Sequence, residues 1–235
     1  MRSKQSGFTL VEIAIVLVII GLLLGGVLKG QELINSAKVK NMINDFRTVS
    51  SLVYSYQDRF KAFPGDQTQA QLDSAFGAGA ATECTTTAGL CAKGNARLDG
   101  DWNSTTLAVA TALTHETFVF WQHVRLANLA TGATNTADAN YAPKNADGGA
   151  LGVESGLDSA GVAAPWISGM RGSFYVCSQG ILGRYVRQID TTMDDGNTAG
   201  GNVRAVQMSA TRGSSGGEAT SAINEGQQYV VCAAF

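Results

Sequence analysis

The chain has 235 residues, of which 45% are hydrophobic and 15% charged, and its formal net charge is −2. That length holds one globular domain beyond an anchoring segment, and so balanced a charge gives no bulk electrostatic footing for nucleic acid. Glycine at 28 residues and proline at 3 describe a loop-rich domain, which excludes a collagen-like or proline-rich architecture.

The chain opens with a short basic stretch, Met1–Gly7, carrying Arg2 and Lys4. The run FTLVEIAIVLVIIGLLLGGVL follows from Phe8 to Leu28. As helix this run is about 31 Å long, enough to cross the hydrocarbon of a bilayer. A secretory signal has a shorter apolar centre and a small-residue cleavage site, and KGQELI offers none. A plain single-pass anchor, oriented by Arg2 and Lys4 with its N-terminus in the cytoplasm, fits the length but leaves Glu12 unpaired in lipid. Gly21 and Gly25, and again Gly26 and Gly30, are spaced so that two helix backbones can approach closely in a membrane.

The residues KQSG followed by FTLVE resemble the type III signal of type IV prepilins and pseudopilins. The resemblance implies cleavage between Gly7 and Phe8 by a prepilin peptidase on the cytoplasmic side, then N-methylation of the new terminus at Phe8. It also implies a partner for Glu12, whose counterpart in assembled filaments faces the amine of a neighbouring subunit's first residue. In surroundings of low polarity such a pair sets register more than it adds stability. Many pilins lose helix at a proline in this segment; here any unwinding would begin at Gly25–Gly26. The implied organisation is a leader at 1–7, a membrane or filament-core helix at 8–28, an amphipathic spine at 29–62 and a globular head at 63–235. The implied partners are other copies of the chain in a helical filament, the peptidase and an inner-membrane pilus assembly platform. The precursor would sit in the bacterial inner membrane before joining an extracellular pilus or a periplasmic filament. Leader removal takes Arg2 and Lys4 from the 17 basic side chains, leaving 15 against 19 acidic ones.

Past the membrane run, Val39, Met42, Phe46, Val49, Val53, Tyr56 and Phe60 recur at spacings of three and four. The stripe predicts one continuous helix from Phe8 to about Phe60, with Lys38, Lys40, Asp45, Arg47 and Asp58 facing solvent. Phe63-Pro64-Gly65-Asp66 stops it. Residues 66–113 show little periodicity. Asp99-Gly100-Asp101-Trp102-Asn103 has the alternating oxygens of a partial calcium loop but lacks the distal glutamate, and reads as a turn.

From Glu116 to Ala130 the chain is apolar nearly all round, which predicts a second helix held between layers, with Thr114 as its cap. Residues 131–172 read as loop. Ser173–Ser178, Gly183–Asp190, Asn202–Met208 and Gln228–Phe235 each have strand composition. The fold class is therefore α+β: a long N-terminal helix packed against an antiparallel sheet of about four strands, with loop insertions. Within this half FPGD at 63–66, the set Glu116, Trp121 and His123, and DTTMDDGNTAGGNVRA at 190–205 resemble a subgroup of large pilin-like proteins. Thr192 and Asn197–Thr198 depart from that subgroup's last motif.

Four cysteines in an exported head read as two disulfides. Cys84 and Cys91 would close a small loop. Cys177 and Cys232 lie in strand-like segments and would enclose residues 178–231, as pilins commonly staple their C-terminal region; two buried free thiols are the alternative. Asp190, Asp194 and Asp195 crowd three carboxylates beside Gly196. They read either as an acidic turn, with Asp195 capping backbone amides or pairing with Arg187 or Arg204, or as a calcium site.

Enzyme signals are weak. Gly213-Ser214-Ser215-Gly216-Gly217 spells a nucleophile-elbow pattern, but in a low-complexity loop rather than between a strand and a helix. His115 and His123 lack the spacing of a metal pair. The reading is therefore non-enzymatic: a structural pilus subunit, or alternatively a minor pilin or type II secretion pseudopilin that primes assembly or binds a ligand at the tip. Adhesion and motility are both open to such a fibre.

Overall fold

The computed structural model describes residues 9–86, 90–103, 113–156, 165–213 and 216–235. The chain divides into two compact units, Met1–Lys38 and Val39–Phe235. The helix α1, Leu10–Phe60, begins in the first and ends in the second. No proline interrupts it, and Thr9 caps its start. The Glu12 amide donates to Thr9 Oγ1 (3.3 Å) while the Thr9 amide donates to Glu12 Oε2 (2.7 Å), a reciprocal pair that satisfies two donors of the first turn.

In the first unit α1 exposes its leucine, isoleucine and valine side chains on every side, from Leu10 through Ile34. Its most apolar window has a mean hydropathy of 2.8 and no buried residue. In the second unit the same helix buries Val39, Met42, Ile43, Phe46, Val49, Leu52, Val53 and Tyr56. Asp45 differs from expectation. It is half-buried, and burial pushes its carboxyl up to about 6. The Tyr56 hydroxyl donates to Gln67, and Arg59 reaches the carbonyl of Ala127 (3.0 Å).

A short helix α2, Gln69–Phe76, breaks the predicted irregular stretch. Thr68 and Gln71 cap it reciprocally, a signal present in the sequence as T-x-x-Q. The helix α3 spans Glu116–Leu126, shorter than the sequence predicts, and His115 rather than Thr114 occupies the cap position. Every residue from Glu116 to Arg125 is buried, so α3 lies inside the head.

Four strands form one antiparallel sheet: β1 Leu151–Glu154, β2 Tyr175–Leu182, β3 Val203–Gln207 and β4 Gln228–Ala234, in the order β1-β2-β4-β3. The C-terminal strand is thus central. One face, with Val153, Val176, Val231 and Ala205, packs into the cluster built on α1 and α3; the other, with Cys177, Val206, Val230 and Cys232, packs on Trp102, Ile167 and Met170. A sheet covered on both faces accounts for the near-continuous apolar run of β4.

Two sequence expectations fail here. Leu151–Glu154 lay in a predicted loop and is a strand. Gly183–Asp190, predicted as a strand, belongs to the helix α4, Gly183–Met193. Its buried residues Tyr185, Val186, Ile189 and Asp190 follow helical spacing.

Candidate functional site

The first candidate is the N-terminal segment. Gly7 and Phe8 lie outside the described residues. Glu12 accepts from the Thr9 amide and from Thr9 Oγ1 (2.8 Å), both on Oε2. Charge-assisted donors at a helix N-terminus favour a carboxylate there, and Oε1 is left for an outside donor. A Cβ added at Gly21, Gly25, Gly26 or Gly30 would meet nothing within 4 Å. Among the described residues of the first unit, therefore, nothing uses these small residues, the exposed apolar side chains around them or the second oxygen of Glu12. The T-x-x-E pattern within FTLVE already signalled the cap, whose donors soften the cost of this carboxylate without cancelling its charge.

The motif residues of the head converge on a buried polar lock. Gly65 turns with φ 104°, where an added Cβ would fall 2.5 Å from the Glu116 carbonyl. Its amide donates to His123 Nδ1 (2.9 Å), so Nε2 carries the proton and donates to the Thr82 carbonyl (3.0 Å). Burial holds His123 down at about 4, a neutral imidazole. Asp66 accepts the amides of Asn95 (3.1 Å) and Ala96 (2.7 Å). Glu116 accepts those of Ala92 and Asp99, both at 2.8 Å. Burial pushes the Glu116 carboxyl up to about 8, aided by the nearby charges of Asp99 and Asp66 and opposed by the two amides. His115 is a separate buried group that accepts the Asp101 amide (3.1 Å). Each histidine thus fixes backbone, and none of these groups faces an open reaction site.

A further buried carboxylate, Glu154, was not legible in the sequence. Glu154, at the end of β1, accepts the amides of Trp102 (3.2 Å) and Trp166 (2.9 Å) and pairs with Arg212, which also bonds Asp101 (2.7 Å). Burial pushes Glu154 up while the Arg212 charge pulls it back. These bonds pin the loops covering the far face of the sheet. They also engage Asp101 of the partial calcium loop, while Asp99 accepts from Asn95 Nδ2 (2.7 Å). That stretch is a turn held by protein groups.

Cys84 bonds Cys91, and Cys177 bonds Cys232 directly across β2 and β4. The elbow-like pattern has its Ser215 outside the described residues.

The acidic loop follows α4. Asp194 accepts the amides of Asn202 and Val203 (2.9 Å), and Asp195 accepts that of Asn197 (2.9 Å). Asp195 therefore caps backbone, whereas Arg187 pairs with Glu225 and Arg204 donates to the carbonyls of Ser168 and Gly216. Asp190 is 1% exposed, and neither of its oxygens has a hydrogen-bond partner among the described residues. Burial, then the charges of Asp194 and Asp195, push it up to about 6.

Residues 2–28 match the family model described as the prokaryotic N-terminal methylation motif, a segment typical of type IV pilins and pseudopilins. No curated protein and no solved structure matches the chain significantly.

Proposed function

We propose that this chain, bearing the methylation motif typical of type IV pilins and pseudopilins, is a structural subunit of a type IV pilus or pilus-like filament. The observation that carries the reading is the start of α1: a helix apolar on every side, exposed throughout, with one carboxylate held at its first turn. A surface of that kind needs an apolar surround, which a bilayer supplies to the precursor and packed copies of the same helix supply to the fibre.

Prepilin peptidase cuts between Gly7 and Phe8, and the new amine of Phe8 is methylated. In the fibre Glu12 faces the amine of a neighbouring copy, which sets the stagger between subunits. Residues 8–28 then form the filament core, 29–62 the spine and 63–235 the surface. The precursor is anchored in the bacterial inner membrane with its N-terminus in the cytoplasm and is extracted by the assembly platform. Both disulfides suit the oxidising side of that membrane.

The test is peptide mass analysis of sheared surface fibres. The mature protein begins at methylated Phe8 and dominates the preparation; a chain still carrying Met1 in purified fibres overturns the processing. A correctly processed chain present only in trace amounts points instead to a minor pilin or a secretion pseudopilin.

A further inference from the structure

The last turn of α4 carries a buried group, Asp190, that no described residue hydrogen-bonds. Asp194 and Asp195 each spend an oxygen on backbone amides of their own loop. Asp190 spends neither, although it is almost fully buried in the last turn of α4 and carries the same charge. An uncompensated buried carboxylate is costly, and here two like charges and the negative end of the α4 dipole add to the cost. The described residues supply no cation, since Arg187 is turned to Glu225 and the Ile223 carbonyl, and Arg204 to main-chain carbonyls.

One oxygen from each of the three carboxylates lies within 4.8 Å of the others. Oxygens that close can share one hard cation. Carboxylate oxygens without nitrogen or sulfur select a hard cation. Calcium tolerates the irregular ligand set of a partly exposed loop, whereas magnesium demands a near-ideal octahedron. We propose that Asp190, Asp194 and Asp195 bind one calcium ion, which fastens the C-terminal end of α4 to the loop leading into β3.

The test uses the full-length chain in detergent micelles, stripped with chelator and titrated calorimetrically with calcium chloride, with melting curves recorded in parallel. A single binding event is expected, with a rise in melting temperature of about 3–6 °C when free calcium is tenfold above the dissociation constant. Magnesium at the same concentration should give a smaller rise. Asp190→Asn keeps the volume and removes the buried charge. It should melt at or above the chelated wild type and show no calcium-dependent rise. If that variant fails to fold, Asp195→Asn, on the exposed side of the cluster, should fold normally and bind calcium about tenfold more weakly. Identical melting with calcium and with chelator, and no heat on titration, would overturn the proposal. A full calcium response in Asp190→Asn, an undiminished affinity in Asp195→Asn, or an equal response to magnesium would overturn it as well.

Discussion

Residues 10–34 and residues 39–60 belong to one helix by backbone geometry, yet they obey opposite rules of burial. The first stretch has no polar face and exposes leucine, isoleucine and valine in all directions; the second hides a single stripe and leaves Lys40, Arg47 and Asp58 outside. A helix with one apolar stripe is satisfied by one neighbour, here the sheet and α3. A helix apolar all round has to be surrounded. The difference separates the part of the chain that needs other molecules from the part that completes its own core.

Breaking the first part should abolish assembly and spare the head. Glu12→Ala removes both the cap and the charge, so membrane insertion should be unchanged or improved, while fibre yield from the mutant as sole subunit falls to background. Wild-type yield from that strain would remove Glu12 from assembly. Breaking the second part should do the reverse. Phe46→Ala opens a cavity at a fully buried position and should cost the head about 3–5 kcal/mol. Leu17→Ala, on the exposed stretch, should change head melting by no more than about 0.5 kcal/mol. Equal melting shifts for the two variants would erase the distinction.

A smaller effect than that of Phe46→Ala sharpens the comparison by isolating one group of the head. Unfolding returns the Glu116 carboxyl from about 8 to 4.5. Between those values the folded chain holds a proton that the unfolded chain has released. Its contribution is therefore fully present below about 4.5 and is lost as pH rises toward 8. His123 works oppositely, held at about 4 against 6.5, and contributes no slope above pH 6.5. Melting temperature should thus decline by a few degrees between pH 6.5 and 8.5, and Glu116→Gln should flatten that decline even if it lowers stability at every pH. An unaltered slope in the variant would place the titration elsewhere.

The sequence made the long helix legible because its signals are local: an unbroken apolar run, a stripe at spacings of three and four, and Pro64 at the end. The strand at Leu151–Glu154 was not legible, since four residues between glycine-rich turns carry no measurable period. The error at α4 has a clear source. GRYVRQID reads as a strand from its composition and the turn residues around it, whereas Tyr185 with Val186 and Ile189 with Asp190 make a helical face. The same error hid the buried Asp190, because a strand would turn Ile189 and Asp190 to opposite sides and only the helix buries both. The motif residues Gly65, Asp66, Glu116 and His123 were visible one by one, but their joint task was not, as Gly65 and His123 are 58 positions apart.

The bond between Cys177 and Cys232 joins β2 to the central C-terminal strand β4. Its consequence is mechanical. A head pulled along its chain can lengthen only by releasing folded chain, and residues 178–231 lie inside the covalent loop. Fully extended they would add about 180 Å. With the bond intact that slack stays sealed however hard the load pulls, so a stretched head keeps α4, β3 and the acidic loop together on one short tether.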